Sequence, residues 1–328
     1  MARSVQVIDL APFCSGANKA SVVRAVSHAC ETVGFLVVAG HGVPQATIDA
    51  LIDATSRFFA LPLTEKEKTI SPDPQVRRGY ARMEATALAK AMGVDSPPDL
   101  REAFTINRVH DNCAPYFHTP AAGKLFAPNI WPATVAGFQE AFTAYYLALE
   151  ALTSDVMRIF ALALDLPEHF FDDKIDKHFS NLTAFYYPPM AKAPAAGQLR
   201  GGAHTDFGSM TFVYGHPSAA GLQVWTGSDW EDVPVVPGAF VVNIGDLMAQ
   251  WTNDRWVSTL HRVANPPEQD WAKPRLSVAF FHQPNYDCVV ENLDREHGAK
   301  YPPVTSGEHL RRKIMAMRVP PKAAATGG

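Results

Sequence analysis

The segment Gly201-Gly-Ala-His-Thr-Asp-Phe-Gly208 contains the only His-x-Asp or His-x-Glu arrangement in a chain with 12 histidines. Along an extended backbone, residues two apart project to the same side, so the imidazole of His204 and the carboxylate of Asp206 can converge on one cation. Taken alone, the pair reads equally well as a turn with a surface histidine and aspartate. His261 follows Asp206 by 55 residues, in Ser258-Thr-Leu-His-Arg-Val263. That length suits a few antiparallel strands that return it beside the first pair; the other reading is an ordinary strand histidine held by a hydrogen bond. Two imidazoles and one carboxylate on one side of a metal leave the opposite positions open, which suits Fe(II) that must bind a co-substrate and O2 together. The same donors suit zinc, but no candidate general base stands at a motif spacing to support a zinc hydrolase.

Arg275 lies 14 residues after His261, in Pro274-Arg-Leu-Ser277 at the start of an apolar run. Period-two alternation puts Arg275, Ser277, Ala279 and Phe281 on one face and Leu276, Val278, Phe280 and His282 on the other. If the first face lines the interior of a barrel, a guanidinium there demands a carboxylate partner, and the bidentate contact is the strong form of that pair. A structural salt bridge explains Arg275 as well. The alternation turns His282 away from Arg275, which leaves His261 as the better ligand candidate.

These residues need elements to position them. Lys19 to Val33 reads as an amphipathic helix ended by Gly34, and Phe35-Leu-Val-Val38 as a buried strand. A second helix follows the Pro44 turn, with Ile48, Leu51, Ile52, Phe58 and Phe59 at helical spacing, and stops before Leu61-Pro62. From Ser71 to about Pro120 the chain lacks sustained periodicity and reads as long ordered loops with short elements inside them. Apolar residues from Phe138 to Leu162 recur in steps of three and four, which predicts one long helix from about Pro132 to Leu166. Thereafter the runs Leu182 to Tyr187, Ser209 to Tyr214, Gly221 to Trp225, Gly238 to Ile244 and Arg275 to Phe281 have the composition of short strands between turns, the texture of a sandwich or barrel.

A chain of 328 residues, 47% hydrophobic and 19% charged, can bury a large core as one large domain or two fused ones. The formal net charge of −4 provides no excess of Lys or Arg for a phosphate backbone or an anionic membrane, so neither nucleic acid nor membrane is expected as a partner. The densest basic cluster, Arg311, Arg312 and Lys313, reads as the water-facing side of a C-terminal helix. Cys14, Cys30, Cys113 and Cys288 show no paired spacing, which points away from disulfides and toward a reducing, cytoplasmic setting. The N-terminus offers no signal-peptide pattern, and no segment approaches the roughly eighteen apolar residues of a membrane span. The tail from Ala323 to Gly328 reads as disordered.

His204-x-Asp206, His261 and Arg275-x-Ser277 are framed by Tyr186-Tyr-Pro188, Gly221-Leu-Gln223, Asn243-Ile-Gly-Asp246 and His261-Arg-Val263. In that order they resemble the isopenicillin N synthase-like group of iron(II)/2-oxoglutarate oxygenases. The opening segment is similar to that group too, in Ile8-Asp-Leu10, Gly34-Phe35, Gly40-His-Gly-Val-Pro44 and Arg78-Gly-Tyr80. The resemblance implies a mixed α and β fold: a distorted double-stranded β-helix, a cupin-like jelly roll, with flanking helices. It implies an N-terminal region over 1–120 packed on the core, a long helix and jelly-roll core over 121–292, and a C-terminal helix and tail over 293–328.

It further implies a dioxygenase whose Fe(II) is held by His204, Asp206 and His261, with 2-oxoglutarate and O2 as co-substrates and ascorbate helpful in vitro. The far carboxylate of 2-oxoglutarate would meet Arg275 and Ser277, with Tyr187 helping to hold it. Phe185 stands where plant members commonly have Asn, which removes a polar contact. The reaction implied is oxidation of an unactivated C–H of a small molecule, by hydroxylation, desaturation or ring closure, as 2-oxoglutarate is decarboxylated to succinate. Arg77 resembles the stretch from which β-lactam members reach a substrate carboxylate; the other reading makes Arg77 and Arg78 solvated loop charges. Tyr80, Phe104, Phe207, Ser209 and Phe281 are pocket-wall candidates, and each reads equally as core. Two alternatives remain: an Fe(II) oxidase of the same fold that uses no 2-oxoglutarate, and a noncatalytic jelly roll that binds a small molecule.

Overall fold

A computed structural model describes residues 4–215, 220–294 and 297–317. The tail expected to be disordered, 323–328, lies outside the described residues. The chain opens with β1 (Gln6–Asp9), α1 (Ala11–Cys14), α2 (Lys19–Thr32), β2 (Phe35–Ala39), α3 (Gln45–Phe59) and α4 (Leu63–Glu67). Helix α2 begins where the Asn18 side chain accepts from the Ser21 amide at 3.1 Å, satisfying one of the donors a helix start leaves open. The stretch from Ser71 to Pro120 contributes only β3 (Gly79–Ala81), β4 (Glu102–Ile106) and two 3-10 turns.

The long helix α5 spans Phe138–Ala163 and starts later than the apolar pattern suggests. Gly137, at φ 74°, holds a left-handed conformation that a preceding helical turn cannot contain. After α6 (Asp172–Ile175) come β5 (Asn181–Tyr187), β6 (Gly201–His204), β7 (Met210–Gly215), β8 (Leu222–Trp225), β9 (Trp230–Asp232) and β10 (Phe240–Ile244). The chain continues with α7 (Asp246–Trp251), β11 (His261–Val263), β12 (Arg275–His282), the short pair β13 (Val289–Val290) and β14 (Val304–Thr305), and α8 (Ser306–Met317).

Two sheets make the jelly roll. The larger has the order β1-β2-β10-β7-β12-β5-β4-β3 and the smaller β6-β11-β8-β9. All their pairings are antiparallel except β1 with β2. The N-terminal strands therefore extend the core sheet directly, β2 along β10 and β4 along β5. One face of the large sheet is apolar: Leu182, Ala184, Phe212, Val278 and Phe280 join Phe138, Phe142, Leu149 and Phe160 of α5 in a single buried cluster. Burial of this kind contributes about 25 cal/mol per Å2 of apolar surface, the main term that holds helices to sheet. Because side chains alternate along a strand, the residues between them face the small sheet across a cavity.

Two expectations change. Lys313 does not simply face water: its Nζ donates to Asp246 Oδ2 at 2.6 Å, which ties α8 to the start of α7, whereas Arg311 and Arg312 do stay at the surface with Glu308. Arg78 is not a solvated loop charge. It is buried, and its guanidinium donates to the carbonyls of Arg77 (2.8 Å) and Leu125 (2.6 Å).

Candidate active site

His261 pairs with His204 directly across β11 and β6, so the 55-residue excursion returns it beside the first ligand. Their ring centroids are 4.3 Å apart. Asp206 lies just beyond β6, with Oδ1 at 3.7 Å from His204 Nε2 and 3.8 Å from His261 Nε2. The ligand atoms of the three residues all fall within 4.8 Å of one another. These separations, too long for hydrogen bonds, are those of donors arranged around a shared ion.

Every other polar atom of the triad is already engaged. His204 Nδ1 lies 2.8 Å from the Gly202 carbonyl and His261 Nδ1 lies 3.1 Å from the Thr259 carbonyl. A carbonyl only accepts, so each ring carries its proton on Nδ1 and offers the Nε2 lone pair. Asp206 Oδ2 accepts from Thr211 Oγ1 at 2.6 Å and from Asn243 Nδ2 at 2.8 Å, which leaves Oδ1 for a cation. Burial, and then the neighbouring His261, hold His204 well below the usual histidine range, so it is a neutral ligand. Burial pushes the Asp206 carboxyl up, but the two imidazoles and the Thr211 and Asn243 hydrogen bonds outweigh it and the net shift is downward. The donor set and its protonation fit a divalent ion held from one side.

The loop that carries Asp206 is braced by the Asn243-Ile-Gly-Asp246 segment. The Asp246 amide donates to the Asp206 carbonyl at 2.7 Å, and a Cβ on Gly245 would lie 2.2 Å from the Gly208 carbonyl oxygen, so only glycine permits this approach. Asp246 itself accepts from Ser258 Oγ at 2.6 Å and from Lys313. Thr211 and Asn243 are functional residues to which sequence reasoning assigned no role. The Asn243 motif was visible in the sequence, but its task depends on β10 lying beside β7, whose Thr211 stands opposite Asn243.

All three ligands line one cavity of about 550 Å3 between the sheets. Arg275, Ser277, Ala279 and Phe281 line it together, as the alternation along β12 anticipated, while His282 is buried on the opposite face with Nδ1 2.6 Å from Ser209 Oγ. Arg275 is 3% exposed; Nη1 donates to Ser277 Oγ at 2.8 Å, Nε donates to the Ala220 carbonyl at 3.2 Å, and the guanidinium lies 4.7 Å from the centre of the Tyr187 ring. Burial draws its proton affinity below the usual arginine range, an effect that Tyr187 opposes.

The candidate walls divide. Phe207, Phe281, Tyr187 and Arg77 line the cavity. Tyr80 borders it as well, but its hydroxyl donates to Glu102 at 2.5 Å and its ring packs 6.1 Å from Phe58. Phe104 is no wall: it is fully buried on the helix side among Phe58, Phe138 and Phe142, because Ala103 and Thr105 take the cavity face of β4. Ser209 is likewise off the wall, fully buried against His282.

Comparison with known proteins accords with this geometry. Residues 5–134 match the family described as non-haem dioxygenase in morphine synthesis N-terminal, and residues 178–284 match the 2OG-Fe(II) oxygenase superfamily. The chain is 36% identical to the 2-oxoglutarate-Fe(II) type oxidoreductase hxnY of Emericella nidulans, over 93% of this chain and 88% of that protein. It is 31% identical to the Validamycin A dioxygenase of Streptomyces hygroscopicus subsp. limoneus, over 97% and 87%. Its fold superposes on that of a full-length Neurospora crassa protein crystallised in complex with alpha-KG and thymine with a TM-score of 0.82, at 28% identity, covering 96% of this chain and 97% of that one. The chain belongs to the isopenicillin N synthase-like iron(II)/2-oxoglutarate oxygenases and is a 2-oxoglutarate-dependent Fe(II) dioxygenase.

Proposed function

We propose that this dioxygenase oxidises an unactivated C–H bond of a small, carboxylate-bearing molecule, with Fe(II) on His204, Asp206 and His261 and 2-oxoglutarate seated by Arg275, Ser277 and Tyr187. The observation that carries the reading is the shared cavity: three ligands on one wall, and Arg275 and Ser277 on the facing sheet. Its volume of about 550 Å3 falls within the roughly 300–1,000 Å3 of small-molecule sites. The Neurospora crassa protein, bound to thymine and alpha-KG, supports a substrate of that size class. The arginines on the cavity wall besides Arg275, among them Arg77 and Arg101, support a substrate that carries an acid.

Held by His204, Asp206 and His261, iron would activate O2, the oxidant that takes two electrons from the decarboxylation of 2-oxoglutarate and two from the C–H bond. The chain's own residues bind and orient. Arg275 offers a planar fork to a carboxylate, and Ser277, fixed 2.8 Å from it, offers a second donor at the same spot. Thr211 and Asn243 keep Asp206 in one rotamer, and Phe207 and Phe281 present apolar surface that excludes water around the reacting carbon. Hydroxylation, desaturation and ring closure differ in how a substrate is held, so position within the cavity selects the outcome. The four cysteines are free, which supports a reducing, cytoplasmic setting; no helix among the described residues is long and apolar enough to cross a membrane.

The test is succinate formation by the iron-loaded protein with 2-oxoglutarate, ascorbate and O2, then acceleration of O2 uptake by a panel of small organic acids. Succinate in the wild type and none in His204→Ala is expected. Equal succinate from both would overturn the assignment of the centre.

A further inference from the structure

Strand β4 turns its odd-numbered residues to the cavity: Ala103 and Thr105 line it, and so does Arg101, immediately before the strand. The register is anchored from behind, where Glu102 accepts from Lys66 Nζ at 2.6 Å and Tyr80 Oη at 2.5 Å inside the protein. Arg101 therefore has no freedom to swing to the outer face, and its side chain is only 10% exposed. Its guanidinium lies 4.3 Å from the centre of the Phe185 ring, a residue on the cavity face of β5. The Phe185 ring thus serves as the platform for a cation.

Other charges around the cavity are engaged. Arg82 pairs with Glu67 at 2.6 Å, Asp73 pairs with Lys124, and Arg78 donates to two carbonyls. Arg275 has Ser277, Ala220 and Tyr187 around it. Arg101 differs. The one carboxylate near it among the described residues, Asp99, is 3.7 Å away, beyond a hydrogen bond. The oxygens of Asp99 already accept from the amides of Gly202 (2.8 Å) and Leu88 (3.1 Å) and from Thr86 Oγ1 (3.2 Å). The Asp99 ion pair leaves the guanidinium N–H groups without a hydrogen-bond acceptor among the described residues, and they border the cavity, so a ligand carboxylate would meet donors that are not already used.

We propose that Arg101, held over the Phe185 ring, recognises the organic substrate by taking its carboxylate beside the His204, Asp206 and His261 centre. This rests on the function proposed above, in which Arg275 and Ser277 take the co-substrate. Planar, bidentate pairing selects a carboxylate. Partial neutralisation by Asp99 matches a single negative charge and disfavours a phosphate dianion.

Arg101→Met keeps an unbranched apolar side chain at the position and removes the charge and all five donors. Wild type, Arg101→Met and Arg101→Lys are each assayed by O2 uptake with 2-oxoglutarate and a panel of aliphatic and aryl carboxylic acids, every acid matched with its primary amide. The inference expects accelerated uptake from acids and not from their amides. It also expects kcat/KM for the best acid to fall by about 30-fold or more in Arg101→Met, with partial recovery in Arg101→Lys. Anaerobic titration should give the same dissociation constant for 2-oxoglutarate in wild type and Arg101→Met to within about threefold.

A large rise in that constant would mean that Arg101 serves the co-substrate, and would overturn the inference. So would equal acceleration by acids and amides, no acceleration by any acid, or an acid whose kcat/KM ignores the charge at position 101. Failure of the wild type to form succinate from 2-oxoglutarate at all would instead sink the function on which the inference rests.

Discussion

The two walls of the cavity are built on opposite principles. On the small sheet, each ligand of the triad has its second polar atom tied internally, to Gly202, Thr259, Thr211 or Asn243, so one atom from each is left pointing at a common centre. On the large sheet, Arg275 lies buried and Arg101 half-buried, each beside an aromatic ring, and Arg101 has only the Asp99 ion pair at 3.7 Å, with no acceptor within hydrogen-bond distance among the described residues. The first wall is set for a cation; the second is shaped to receive anions. The ion site needs fixed donors and tolerates no slack, whereas the anion sites need charge, planarity and shelter from water.

The largest effect should come from removing a member of the first wall. Asp206→Ala leaves two neutral imidazoles and no anion, and turnover should fall by more than the roughly 100-fold seen for changes behind a metal ligand. Succinate assays measure it, and full activity would show that the first wall does not hold the iron. On the second wall, Arg275→Met should raise the KM for 2-oxoglutarate by about 30-fold or more with a smaller change in kcat, because a buried charged pair is lost from binding. A fall in kcat with an unaltered KM would move the co-substrate elsewhere.

Smaller still is the expected effect of Asn243→Ala, which removes one of two donors to Asp206 Oδ2. Iron affinity should drop about 10-fold, the low end for residues that orient ligands, as read by Fe(II) titration. An unchanged affinity would mean that Thr211 suffices alone. Phe104→Ala lies at the far end of the scale. It should cost about 3–5 kcal/mol of stability by opening a core cavity, with no change in the KM for 2-oxoglutarate. Denaturant unfolding and steady-state kinetics on the same preparation separate the two readings.

The legible part of the site was the part with a strong local pattern. Strand β12 alternates over eight residues, so the faces of Arg275 and His282 were readable before any fold was known. The His204 and Asp206 pair was readable as a spacing, but not as a strand: Gly201, Gly202 and Ala203 have little strand preference, and β6 exists because β11 pairs with it and Asp99 accepts from the Gly202 amide. Arg101 and Asp99 were missed because they sit in a stretch of loops without periodicity. One signal there went unused: in Glu102-Ala-Phe-Thr-Ile106 the large apolar residues alternate with small or polar ones, which assigns Phe104 to the core and Ala103 and Thr105 to the cavity. The roles of Thr211 and Asn243 could not be read locally, because they depend on which strands become neighbours.

The most direct test of the two-wall account is an anaerobic titration of the Fe(II)-loaded protein with 2-oxoglutarate. A weak visible charge-transfer band should grow to saturation in the wild type and bleach on admission of O2. It should shift to about 30-fold or higher 2-oxoglutarate concentration in Arg275→Met and fail to form in Asp206→Ala. A band of undiminished intensity in Asp206→Ala, or identical titration curves for wild type and Arg275→Met, would contradict the account.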